Sequence, residues 1–220
     1  MVMGQISDRE LHEECGVFGI RTTHDEAAGI TYNALLALQH RGQEGAGIAV
    51  LRDQAILYHK DVGLVSEVFT PQVLNKIPAA HLAIGHVRYS TTGGNRKENT
   101  QPVVTEYLKG RIAISHNGNI INAAALREKL RRAGCDFNAT TDSEVVSSLI
   151  AYEILQGGGF EEAIVKAAKQ LRGAYTLLVL GSGDRLCALR DPSGFRSALP
   201  GEEQSRLGRR QRELRAGQRG

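Results

Sequence analysis

A mixed α+β fold is predicted by three features of this sequence. Apolar β-type runs open and close the body between residues 15 and about 196. Helical segments are concentrated between them, and their order lacks the regular strand–helix alternation of a parallel sheet. The length of 220 residues suits one large domain better than two. Hydrophobic residues make up 41% of the chain and charged residues 23%, the balance of a globular protein. With no Trp and 5% aromatics, its core must be mostly aliphatic.

The elements follow in order. Residues 15–21 read as a buried strand, and 26–40 as a helix with Ile30, Leu35 and Leu38 on one face. Two apolar runs around Arg52–Asp53–Gln54 predict a hairpin. A short helix is expected near 71–77 and a strand over 81–90. Another strand over 111–116 is expected to end at Asn117–Gly118. Helices are predicted over 122–133, 143–156 and 160–171, the first closed by Gly134. A final strand pair spans 176–181 and 185–191.

The net charge of +3 is confined to one end. Residues 197–220 carry six of the 27 basic side chains and three of the 24 acidic ones, leaving 21 of each before them. The body therefore has no electrostatic bias toward nucleic acid or a membrane surface. The last 24 residues contain few large apolar side chains and are expected to be a disordered basic tail. Residues 1–14 are polar and acidic, unlike a signal peptide. No run approaches 18 apolar residues, which excludes a transmembrane helix. Three Cys cannot form a disulfide framework, so a reducing compartment, the cytoplasm, is expected.

Four features could carry chemistry, and each has a plain alternative. Cys15 opens a strand behind the acidic segment. Removal of residues 1–14 would give it an α-amine beside its thiol, so that one residue supplies nucleophile and base; alternatively it is a small buried hydrophobe. Asn117–Gly118 is the favoured pair for a tight hairpin; an Asn amide and a Gly N–H could equally stabilise an oxyanion. Thr141–Asp142–Ser143–Glu144 fits a capping box, and a carboxylate at Asp142 could also grip a ligand ammonium. Arg88, at a strand end before a Thr/Gly loop, offers a planar fork for a carboxylate or an ordinary surface salt bridge. His116 is expected to be a satisfied core histidine. Cys135 and Cys187 show no CxxC spacing, and no metal site is indicated.

These features recur together in a known order. Glu14–Cys15–Gly16–Val17–Phe18–Gly19 comes first, and Leu38–Gln39–His40–Arg41–Gly42–Gln43–Glu44 follows it. Next come Gly85–His86–Val87–Arg88–Tyr89–Ser90–Thr91, Ser115–His116–Asn117–Gly118–Asn119 and Thr141–Asp142–Ser143–Glu144. The pattern resembles class II glutamine amidotransferases, and within them the amino-terminal half of the amidophosphoribosyltransferases, from about Cys15 to Arg196.

The resemblance implies an N-terminal-nucleophile (Ntn) hydrolase fold, a four-layer αββα sandwich. It divides the chain into a propeptide (1–14), an amidotransferase domain (15–196) and an unrelated tail (197–220). It implies Cys15 as nucleophile, Asn117 and Gly118 as oxyanion donors, Arg88 on the glutamine carboxylate and Asp142 on its amine. The family's full reaction converts glutamine and phosphoribosyl pyrophosphate to phosphoribosylamine, glutamate and pyrophosphate in purine biosynthesis. Its phosphoribosyltransferase half, with Mg²⁺, has no counterpart here, so this chain is expected to carry no cofactor and only the glutamine-hydrolysing half. A homo-oligomer of the family's kind is compatible. The fold is expected to be truncated after Arg196. The alternatives are the glutaminase domain of another class II enzyme, such as an asparagine synthetase, or an inactive truncated remnant. The 14-residue leader argues against the first of these.

Overall fold

The computed structural model describes residues 15–89 and 96–201. The expected propeptide, the Thr/Gly loop that follows Arg88 and most of the basic tail lie outside the described residues. Eight strands and six α-helices occur among those described. The first half holds β1 (Gly16–Arg21), α1 (Ala27–Ala37), β2 (Gly45–Arg52), β3 (Ala55–Val62), α2 (Val65–Val68), α3 (Pro71–Leu74) and β4 (Leu82–Arg88). The second half holds β5 (Val103–Tyr107), β6 (Gly110–Ile120), α4 (Ala123–Arg132), α5 (Asp142–Leu155), α6 (Phe160–Ala168), β7 (Gly173–Gly181) and β8 (Arg185–Arg190).

The strands form two antiparallel four-stranded sheets, ordered β1-β4-β2-β3 and β5-β6-β7-β8. α1 and α2 cover the outer face of the first sheet; α5 covers that of the second, with α4 and α6 packed beside it. The layers therefore run helix, sheet, sheet, helix. This is the αββα sandwich that the resemblance implies.

Binary patterning explains the layers. α5 is buried nearly all round, with Val145, Val146, Leu149 and Ile150 in the core, as a helix sandwiched between a sheet and further helices must be. Each such side chain contributes about 1.5–3 kcal/mol on burial. Between the sheets, Ala49, Leu51, Ile56, Leu82, Ile84, Ala113 and Leu180 form an aliphatic layer. The β2–β3 hairpin closes with Asp53 and Gln54 at φ 49° and 65°. Positive φ at both turn positions matches the twist of the flanking strands.

The structure corrects several expectations. β1 is an edge strand and half-buried along most of its length, because β4 flanks it on one side only. α1 ends at Ala37 and passes into a 3-10 turn, Gln39–Arg41, instead of continuing to His40. β5 was not anticipated, although Val103–Val104–Thr105 is β-branched. The strand from Arg111 does not stop at Asn117–Gly118: β6 continues to Ile120, with Asn117 paired to Thr176 and Gly118 to Tyr175. The hairpin reading of Asn117–Gly118 is therefore wrong.

Close approach between layers demands glycine at Gly47. A Cβ there would lie 2.1 Å from the Gln101 carbonyl oxygen and 2.8 Å from Pro102 Cδ. Gly47→Ala is expected to lower stability by about 1–3 kcal/mol, read as a lower urea midpoint, because backbone must move. Exposed Gly29 in α1 has nothing within 4 Å of its would-be Cβ. Gly29→Ala is expected to raise the same midpoint by about 0.5–1 kcal/mol through helix propensity.

Candidate active site

Successive side chains on a strand point to opposite faces. Leu82 and Ile84 of β4, Ala113 of β6 and Leu180 of β7 point into the layer between the sheets. The same alternation sends His86 and Arg88, Ser115 and Asn117, and Thr176 into it. The layer is thus aliphatic in its middle and polar at one end. All five of these polar residues are buried, with Arg88 4% and Asn117 6% exposed. Arg88 is therefore no surface salt-bridge residue: its guanidinium belongs to the interior.

Cys15 joins this end through strand register. Gly16 pairs with Val87, so Cys15 falls opposite Arg88 one step beyond. Its Sγ donates to Tyr89 O and accepts from Tyr89 N–H, both at 3.4 Å. Arg41 Nε donates to Cys15 O at 3.4 Å. Burial pushes the thiol above its ordinary value of 9.0, against the lowering influence of the Tyr89 backbone and of the Arg88 and Arg196 charges. A neutral thiol needs a base before it can attack.

Gly118 sits inside β6 at φ +147°, backbone that favours glycine. A Cβ there would lie 2.1 Å from Ala174 O on the neighbouring strand. The Asn-Gly pair is thus a feature of a paired strand whose backbone departs locally from the regular form, next to a buried amide side chain.

Two side chains converge on the His116 peptide here, His86 from the other sheet and Gln101 from the segment before β5. His86 Nε2 donates to His116 O at 3.2 Å. Gln101 brackets the same residue, accepting from His116 N at 2.6 Å and donating to His116 O at 3.1 Å. Burial pushes His86 down to about 3, aided by the nearby positive charges, so it is neutral. Sequence reasoning missed both residues. The signal for His86 was its parity: it continues the inward face of Leu82 and Ile84 as a polar residue two positions before Arg88. Gln101 gave no local signal.

Asp142 is the first residue of α5. Thr141 caps the helix as expected, its Oγ1 accepting from Glu144 N at 3.4 Å. The reciprocal half of the capping box is absent, because the Glu144 carboxylate accepts from Asn138 N and Ala139 N at 2.7 and 2.9 Å. Asp142 Oδ2 accepts from Ile120 N at 2.9 Å, which fixes the helix start against the end of β6.

The chain after β8 also closes on this region. Asp191 is buried and accepts from Tyr175 N, Phe195 N and Arg196 N at 3.2–3.3 Å. Thr176 Oγ1 donates to Ser197 O at 3.1 Å. This turn brings the Arg196 charge close enough to influence Cys15 and His116. Arg196 was another residue that the sequence did not single out.

Two open cavities of about 390 and 460 Å³ lie elsewhere, against Tyr107 and Phe160 and against Tyr58 and Lys60; neither includes Cys15, Arg88 or Asn117. The chemistry lies with the polar end of the inter-sheet layer, whatever the size of those clefts. Among the described residues, no group of three or more His, Cys, Asp or Glu side chains is placed to hold a metal ion. No helix among them is long and apolar enough to cross a membrane.

Residues 86–207 match the model of the glutamine amidotransferase domain. The chain belongs to this family. Amidotransferase relatives extend the match toward the amino terminus. The amidophosphoribosyltransferase of Synechococcus elongatus is 42% identical over 193 residues, covering 88% of this chain and 39% of the relative. That of Methanocaldococcus jannaschii is 45% identical over 194 residues, covering 88% and 41%. Among solved structures, one described as the allosteric regulatory enzyme of purine biosynthesis superposes with a TM-score of 0.72. It is 39% identical, covering 82% of this chain and 38% of that one. The glutamine phosphoribosylpyrophosphate amidotransferase of B. subtilis, complexed with ADP and GMP, gives 0.65 at 40% identity, covering 75% and 35%. The chain thus spans about two-fifths of the length of these relatives. This amidotransferase domain has the Ntn-type fold of those enzymes.

The buried thiol supplies a prediction. Alkylation of Cys15 by iodoacetamide, followed by peptide mass to separate it from Cys135 and Cys187, should keep rising above pH 9.0. Arg88→Gln should move that midpoint higher, since a positive charge that favours thiolate is lost. A midpoint below 9.0, or one that falls in the variant, would contradict this electrostatic account.

Proposed function

We propose that this domain hydrolyses the side-chain amide of glutamine, with Cys15 as nucleophile. The observation that carries the reading is the convergence of Cys15, Arg88 and Asn117 on one polar end of an otherwise aliphatic layer.

The steps follow from ordinary acyl-transfer chemistry. Removal of residues 1–14 exposes the α-amine of Cys15, which takes the thiol proton. The thiolate attacks the amide carbon of glutamine. The Asn117 side-chain amide and the Gly118 N–H donate to the tetrahedral oxyanion. The C–N bond breaks, the proton passes to the leaving nitrogen, and ammonia departs. Water then attacks the thioester, giving glutamate and restoring the thiol. Arg88 holds the α-carboxylate through its planar fork. Asp142 pairs with the α-ammonium.

We further propose that the ammonia is destined for phosphoribosyl pyrophosphate on a phosphoribosyltransferase domain, giving phosphoribosylamine, as the names of the relatives suggest. Any Mg²⁺ would act with that domain. We also propose a reducing compartment such as the cytoplasm, because three cysteines cannot form a disulfide framework.

Intact mass before and after a diazo-ketone glutamine analogue tests the reading. Loss of residues 1–14 and one adduct, abolished in Cys15→Ala, is expected. A full-length mass without adduct would mean that the site is not assembled, as in an inactive remnant. Arg88→Lys should raise KM for glutamine roughly tenfold to a hundredfold with a smaller change in kcat, the scale of one charged bidentate contact. An unchanged KM would remove Arg88 from substrate binding.

A further inference from the structure

His116 lies on the face of β6 opposite Asn117, turned toward α5, and is 2% exposed. Its backbone N–H and C=O are both held by Gln101, and its C=O also by His86. Its ring Nδ1 lies 3.0 Å from Ser143 Oγ and 3.7 Å from Asp142 Oδ1. The other carboxylate oxygen of Asp142 is tied to the Ile120 N–H at 2.9 Å. His116 Nε2 is buried and has no hydrogen-bond partner among the described residues. A buried N–H without an acceptor is costly, so the proton belongs on Nδ1, where the Ser143 hydroxyl accepts it and the Asp142 carboxylate lies near enough to feel the N–H dipole. Burial holds the ring below its ordinary value of 6.5, against the opposing pull of Asp142, which leaves a neutral donor.

We infer that His116, held on Ser143, is a positioning residue: its Nδ1–H dipole biases the second oxygen of Asp142 so that the carboxylate meets the substrate ammonium in one preferred orientation. This rests on the glutamine reading above. A carboxylate held at one oxygen by the backbone can still rotate its second oxygen. An N–H dipole 3.7 Å from that second oxygen restrains it electrostatically before substrate arrives, and less binding energy is spent on ordering it. The same residue carries the peptide that leads into Asn117. A single buried side chain therefore adjoins both the ammonium end and the oxyanion end of the pocket.

The test compares glutamine with glutaramate, the same ω-amide without an α-amino group, in the wild type, His116→Leu, His116→Asn and Ser143→Ala. His116→Asn keeps an N–H donor near the Nδ1 position; His116→Leu has none. His116→Leu should raise KM for glutamine about three- to fivefold, the scale of a modest polar contact, with kcat within about twofold. KM for glutaramate should be unchanged, and His116→Asn should restore the glutamine value. If His116→Leu does not fold, Ser143→Ala should show the same substrate-selective rise on a smaller scale. Parallel changes for both substrates, or a fall in kcat alone, would overturn the inference and leave His116 a packing residue. A wild type inactive on both substrates would instead sink the glutamine reading. In that case nitrogen NMR of labelled histidine still decides: a protonated Nδ1 is expected, and a protonated Nε2 overturns the proposal.

Discussion

Two sheets stacked through an aliphatic layer are free to slide unless something polar fixes the end where the layer stops. Here the fixing point is the peptide of His116. Gln101 takes both of its backbone groups, and His86 reaches across from the other sheet to the same carbonyl. Hydrogen bonds in a dry interior are directional as well as costly to lose, whereas apolar contacts carry no direction. Every candidate site residue is placed relative to this point. Arg88 is two residues along from His86 on the same face, Asn117 is next to His116, and Cys15 lies opposite Arg88 through register. The wide aliphatic surface supplies the stability; these few polar bonds decide where it ends.

The layering was largely legible in the sequence. Strand–helix–strand order, the Asp53–Gln54 hairpin and the α5 helix all follow from local pattern and turn chemistry. The failures have physical reasons. β1 reads as buried because Val17, Phe18 and Ile20 are apolar, yet burial on an edge depends on how many neighbours the sheet provides. Asn117–Gly118 reads as a turn because local propensity favours one, but pairing with β7 overrides it and uses the glycine for a close approach to Ala174. The Thr141 cap was legible, whereas the Glu144 carboxylate was drawn away by the unpaired N–H groups of Asn138 and Ala139.

The site was legible in a different way. Cys15, Arg88, Asn117, Gly118 and Asp142 were each ambiguous alone, and only their order along the chain gave them meaning. The residues that support them were hidden, because Gln101, His86, Ser143 and Arg196 act through contacts made across elements. His116 illustrates the limit. Its burial was foreseeable from its place in an apolar strand, but its bare Nε2 and its closeness to Asp142 exist only once α5 has docked.

The strand order carries a consequence for how this molecule comes into being. The Cys15 sulfur meets its partner Tyr89 across 74 positions of sequence, and Asn117 needs Thr176 beside it. During synthesis the thiol therefore emerges long before any of its surroundings. Chains rich in such distant pairings collapse late and leave strand edges bare in the meantime. A nascent chain stopped short of Thr176 would hold all four strands of the first sheet but not the strand that flanks Asn117. The surroundings of this cysteine are completed late, by the chain as a whole, and are not encoded next to the residue.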